Sequence, residues 1–129
     1  MKNIRVVAAV IHQDHRILAT QRGYGEFKDG WEFPGGKIEE GETPEVALIR
    51  ELKEELTITV KPEKLLTVVE YDYPNFHLSM HCFLSSIEQG EINLLEHEAM
   101  KWLSHNELDS VAWLPADHGL IELLKKESF

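Results

Sequence analysis

The stretch from Gly36 to Ile58, G-K-I-E-E-G-E-T-P-E-V-A-L-I-R-E-L-K-E-E-L-T-I, constrains the fold of this chain more than any other. Its helix start is written twice. Thr43 offers a hydroxyl to the amides left free in a first turn, and Pro44 falls at the first helical position, where a missing N–H costs nothing. At about 100° per residue, Ile49, Leu52 and Leu56 project to one side with Leu48 at its margin, so that side is expected to face a core. Glu51, Glu54 and Glu55 fall in an arc of about 100° on roughly the opposite side.

An acidic helix face is usually just solvated, but this spacing argues for more. Glu51 lies one turn from both Glu54 and Glu55 with no lysine between them, and like charges so placed cost about 0.2–0.5 kcal/mol per pair. Arg50 can pair with Glu54, yet one guanidinium cannot neutralise three carboxylates. A hard divalent cation can: Mg²⁺ prefers carboxylate and carbonyl oxygens and commonly shares its shell with phosphate. Glu42, near the helix start, can bring a fourth carboxylate.

With these residues in view, the stretch resembles the Nudix box, G-x5-E-x7-R-E-U-x-E-E-x-G-U, where U is an apolar aliphatic residue. Gly36, Glu42, Arg50, Glu51, Leu52, Glu54, Glu55 and Ile58 all fall in place. The resemblance implies an α/β fold, the Nudix α/β/α sandwich with a mixed β-sheet between helices. It also implies metal-dependent hydrolysis of a phosphoanhydride with Mg²⁺, for which Mn²⁺ substitutes. By the same resemblance Glu54, Glu55 and the Gly35 carbonyl ligate metal, Glu51 is ligand or general base, Arg50 orients Glu51, Glu42 is an outer participant, and Lys37 lies close to the substrate. Thr57 departs from the pattern, standing where the family has glycine. A β-branched residue in the left-handed conformation costs roughly 1–2 kcal/mol, so Thr57→Gly is expected to raise thermal stability with turnover nearly unchanged.

The likeness narrows to MutT-type nucleoside triphosphate pyrophosphohydrolases. These carry a substrate-binding arginine matched by Arg22 and use a glutamate from a late loop. Setting Trp102 against the family tryptophan gives that place to Glu96, with Glu98 its near rival. The run Leu114-Pro115-Ala116-Asp117 resembles their base-reading segment, and aspartate at that place is found in bacterial CTP pyrophosphohydrolases. An ionised Asp117 can accept from cytosine N4; a protonated one can donate to an oxidised guanine. The expected substrate is therefore CTP, dCTP or an oxidised nucleotide such as 8-oxo-dGTP, in a role of nucleotide-pool sanitation and hence DNA repair. Asp117 as a plain helix cap is the alternative. Phe33 and Tyr73 are candidates for stacking on the base, or else core.

Composition limits the rest. With 129 residues, 43% hydrophobic and 28% charged, the chain fits one domain, 1–129, around a single core. No apolar run is long enough to span a bilayer, no membrane partner is expected, and Cys82 as the lone cysteine precludes an internal disulfide, which suits a cytoplasmic setting. The net charge of −10 disfavours a nucleic-acid groove and would also repel a polyphosphate unless cations carry it in. The partner is expected to be a small nucleotide, the assembly a monomer or homodimer.

Along the chain, residues 5–12 and 16–22 read as a hairpin of strands turning at residues 13–15, and the glycine-rich 23–30 as a loop over a ligand. Residues 59–73 and 76–86 read as strands joined at Pro74-Asn75. A loop carrying Glu91, Glu96, His97 and Glu98 follows, then a strand at 99–103, a helical turn at 106–110 and a last helix over 115–126 with Leu120, Leu123 and Leu124 inward. Two other readings remain open: cleavage of ADP-ribose or a dinucleotide, and a non-catalytic Nudix domain that senses a ligand or binds DNA. Intact Glu51, Glu54 and Glu55 and the acidic charge oppose the last.

Overall fold

The computed structural model describes residues 2–129. Its strands are β1 (Lys2–Gln13), β2 (Arg16–Arg22), β3 (Trp31–Glu32), β4 (Gly35–Lys37), β5 (Thr59–Tyr73), β6 (Phe76–Gln89) and β7 (His97–Leu103). Its helices are α1 (Pro44–Leu56) and α2 (His118–Leu124), with 3-10 turns at His105–Glu107 and Pro115–Asp117.

β1 is the axis of a mixed sheet. It runs parallel to β6 from Lys2↔Phe76 to Ile11↔Ser85, antiparallel to β4 through Val6↔Lys37 and Ala8↔Gly35, and antiparallel to β2 at its far end. β5 closes the edge beside β6, while β2 pairs with both β3 and β7. The Asp14-His15 turn, with both residues at positive φ (52° and 63°), has the twist that a two-residue hairpin requires. The unbroken apolar run of β1 follows from burial on both faces. Val7, Ala9 and Ile11 pack with Ala47, Leu48, Leu52 and Leu56 of α1, whereas Ala8 and Val10 join a second core with Trp31, Phe33, Trp113, Leu120, Ile121 and Leu124. The result is a sheet between two helical layers, as the Nudix resemblance implies. Cys82 is fully buried in the second core.

Several expectations shift. The buried stripe of α1 is turned toward its amino end: Ala47, Leu48, Leu52 and Leu56 are fully buried, while Ile49 is 39% exposed. Glu51 and Glu55 consequently do not oppose the apolar side. Their helical angles fall between those of Ala47 and Leu52, and Glu55 is only 9% exposed. The last helix is shorter than the leucine pattern suggests, because Pro115–Asp117 coil as a 3-10 turn first. β7 begins at His97, so His97 and Glu98 are strand residues. β3 and β4, two and three residues long, fall below what periodicity can register. Among the described residues no helix is long and apolar enough to cross a membrane.

Candidate active site

The site is assembled where β4 lies between β1 and α1. Thr43 caps α1 as expected, its hydroxyl accepting from the Val46 amide at 3.2 Å. The two glycines before the helix serve different needs. A Cβ on Gly35 would stand 1.9 Å from the Val7 carbonyl oxygen, so glycine here permits β4 to lie against β1. A Cβ on Gly36 would stand 2.3 Å from the Glu51 carboxyl carbon, so glycine there makes room for that carboxylate. The Gly35 amide donates to Glu55 Oε2 at 3.3 Å.

Arg50 gathers the acids on the outer side. Its Nε and Nη2 grip Glu42 at 2.7 and 2.9 Å, its Nη1 donates to Glu51 at 3.0 Å and Glu54 at 3.2 Å, and Nη2 also reaches the Lys37 carbonyl. The guanidinium hydrogen bonds, together with the Glu39 amide, hold the Glu42 carboxyl down at about 2. Glu42 thus locks Arg50, and Arg50 orients Glu51.

Among the described residues no such cation pairs with Glu55. Burial first, then the charges of Glu51, Glu96 and Glu32, push its carboxyl up to about 9. Burial also raises Glu51, partly opposed by Arg50. Glu32, between these acids and the interior, behaves oppositely: burial disfavours its charge, but hydrogen bonds from His97 and Arg22 outweigh that and hold it below the usual carboxylate range. The contacts are 2.6 Å to Arg22 Nη2 and 3.4 Å to His97 Nε2. Arg22 also donates to the Glu26 carbonyl, so its guanidinium is tied to protein partners while it lines the cleft.

The cleft has two compartments sharing Val6, Arg22, Glu32, Gly35, Gly36, Phe76 and Leu78. The inner one, about 220 Å³, is walled by Phe27, Phe33, Tyr73, Met80, Leu114 and Asp117. Phe33 is both core and wall, stacked on Trp113 with ring centroids 4.7 Å apart. Tyr73 stacks on Phe76 at 4.9 Å and accepts from the Ala116 amide. Asp117 is 4% exposed, and burial, followed by the Glu32 charge, drives its carboxyl well above the usual range. It sits at the α2 N-cap position without a side-chain capping bond, which removes the plain helix-cap reading. The outer compartment, about 440 Å³, is lined by Lys37, Glu55, Glu96 and His97. Glu98 does not line it. Its carboxylate pairs with Lys28 at 3.6 Å instead.

An aromatic pocket thus shares its glycine-backed floor with a second compartment lined by Glu55 and Glu96. The model of the NUDIX domain matches residues 1–124. The chain belongs to the NUDIX family. This NUDIX chain is 34% identical over 128 residues to the 8-oxo-dGTP diphosphatase of Escherichia coli K12, covering 98% of this chain and 99% of that one. It is 36% identical over 123 residues to the CTP pyrophosphohydrolase of the same organism, covering 95% and 91%. Its fold superposes on a MutT NUDIX hydrolase of Burkholderia pseudomallei with a TM-score of 0.81 at 29% identity, covering 98% of this chain and 100% of the other. Membership makes the chain a hydrolase of nucleotide phosphoanhydride bonds whose family generally needs a divalent metal.

The residues of this NUDIX site fit such an ion by charge and donor type. A carboxyl raised to about 9 by burial first and then by three neighbouring acids marks a place short of positive charge, and the donors are all oxygen. Among the described residues no three His, Cys, Asp or Glu side chains close on one point, and Glu51 and Glu54 are paired with Arg50. Sequence reasoning passed over Glu32, His97, Phe76 and Leu78. A glutamate between Trp31 and Phe33, in an otherwise apolar setting, was the available signal for Glu32; the other three offered none.

Proposed function

We propose that this chain hydrolyses a nucleoside triphosphate to the monophosphate and pyrophosphate. The base would enter the inner compartment, and the phosphates would lie along the outer one with Mg²⁺, replaceable by Mn²⁺. The carrying observation is the continuity of the two compartments across Gly35-Gly36. When bound, the divalent ion polarises the phosphoryl oxygens and acidifies water.

The chain's own residues supply the rest. Glu54, Glu55, Glu96 and the Gly35 carbonyl offer oxygens to the ion. Glu51 is either a further ligand or the group that takes the proton from water, oriented by Arg50, which Glu42 holds in turn. Phe33 and Tyr73 sandwich the base, and Lys37 and Arg22 face the phosphates. For Arg22 to contact phosphate it must loosen from Glu32 or use its free edge. A neutral Asp117 can donate and accept at once, which suits a base edge with adjacent donor and acceptor, as in cytosine (N4 and N3) or 8-oxoguanine (N1 and O6). The two relatives act on 8-oxo-dGTP and CTP by name.

A panel of CTP, dCTP, 5-methyl-dCTP, dGTP, 8-oxo-dGTP and ADP-ribose, scored by kcat/KM with Mg²⁺, tests this reading. A cytosine nucleotide or 8-oxo-dGTP is expected to lead. If ADP-ribose leads, the substrate class is wrong.

A further inference from the structure

At Thr57 the chain departs from the box, and the structure shows what the threonine does there. It is the C-cap of α1 in the left-handed conformation, φ 61° and ψ 26°, which a β-branched side chain adopts only under strain. Its hydroxyl donates to the Glu91 carbonyl at 2.9 Å and accepts from Asn93 Nδ2 at 2.9 Å. The backbone joins the same contact. The Asn93 amide donates to the Leu56 carbonyl at 2.9 Å and the Leu95 amide to the Glu55 carbonyl at 3.2 Å, satisfying acceptors that a helix end leaves open. Gly90 packs so closely that a Cβ there would stand 2.9 Å from the Thr57 carbonyl oxygen. The segment bound in this way runs directly into Glu96.

We propose that Thr57, with Asn93, is a positioning residue that clasps the segment before Glu96 to the end of α1, fixing the Glu96 carboxylate relative to that of Glu55. A glycine at position 57 would relieve the strain and lose both side-chain bonds. The proposal rests on the reading of Glu96 as a metal-site carboxylate, and it reverses the expectation that Thr57→Gly leaves turnover unchanged.

The test measures Mn²⁺ affinity of the full chain by electron paramagnetic resonance without nucleotide, alongside thermal midpoints and kcat. Asn93→Ala should weaken Mn²⁺ binding by about five-fold, the size of one ordinary hydrogen bond, and Thr57→Gly, which loses two, by at least as much, with a similar fall in kcat. Thr57→Ser, which keeps the hydroxyl, should restore affinity to within about two-fold of the parent. The double variant Thr57→Gly/Asn93→Ala should bind Mn²⁺ more weakly than either single, since each single leaves the other residue's bond to the Glu91 carbonyl in place. Glu96→Gln separates the proposal from the reading beneath it. If Glu96→Gln leaves Mn²⁺ binding unchanged, the loop-ligand reading fails and the proposal with it. If Glu96→Gln weakens binding while Thr57→Gly does not, or Thr57→Ser is as weak as Thr57→Gly, the proposal alone is overturned.

Discussion

Replacing Glu55 by Gln in metal-free protein should stabilise the fold while destroying turnover, and the gain should grow with pH. The folded carboxyl titrates at about 9 against an ordinary 4.5, so between those values the native chain holds a proton that the unfolded chain has released. More protons bound in the native state means that wild-type stability falls as pH rises through this window. Glutamine is neutral in both states, contributes no such slope, and can still accept the Gly35 amide through its side-chain carbonyl. Each pH unit is worth about 1.4 kcal/mol, so raising the pH from about 5.5 to about 7.5 should widen the advantage of the variant by about 2.7 kcal/mol. That figure does not depend on where the folded carboxyl titrates, provided it lies above the working pH. For a chain of this length, it corresponds to roughly 8–13 °C in Tm. Urea unfolding of EDTA-treated wild type and variant at both pH values reads it directly, and added Mg²⁺ should raise the wild-type midpoint alone. If the gap does not widen with pH, or the variant is the less stable at the higher pH, Glu55 is not a buried neutral acid and its raised carboxyl gives no support to a cation site.

The paired glycines should fail differently. Gly35→Ala forces a Cβ into the Val7 backbone and should lower Tm steeply, whereas Gly36→Ala displaces the carboxylate end of the Glu51 side chain and should keep Tm within a few degrees while kcat falls by about ten-fold or more. Asp117→Asn preserves a neutral donor and acceptor and should hold kcat/KM within about ten-fold of the parent at neutral pH, while Asp117→Ala, losing both bonds to the base, should cost about 100-fold. An equal loss in the two would show that Asp117 acts as a carboxylate. His77, raised from 6.5 by the hydrogen bonds it donates first to Asp72 and then to Glu70, contributes stability that is present below 6.5 and lost as pH rises through its folded value. His77→Gln should accordingly lower the urea midpoint at pH 6 and leave it unchanged at pH 9; an equal drop at both would assign the effect to packing.

How far the site could be read in advance depended on how local each constraint was. The start of α1 and the order Gly36, Glu42, Arg50, Glu51, Glu54, Glu55 are set within one helix and its approach, and their spacing carried them. The tilt of α1 against the sheet is not local. Ala47 packs in the same core as Val7, Ala9 and Ile11 of β1, so the buried side of the helix includes it and Glu55 and leaves Ile49 out; a wheel drawn from hydrophobicity alone ranks Ile49 above Ala47 and so turns the helix the other way. Burial of Glu55 is in turn the first cause of its raised pKa, so that shift follows from how the helix is seated. Glu32, His97 and Phe76 come from three different strands, and their meeting depends on the registers of β2 with β3 and β7 and of β1 with β6. Thr57 shows the converse case. Judged locally it is a defect in the box, but its partners lie 34 and 36 residues further on, and with them it becomes part of the site's support.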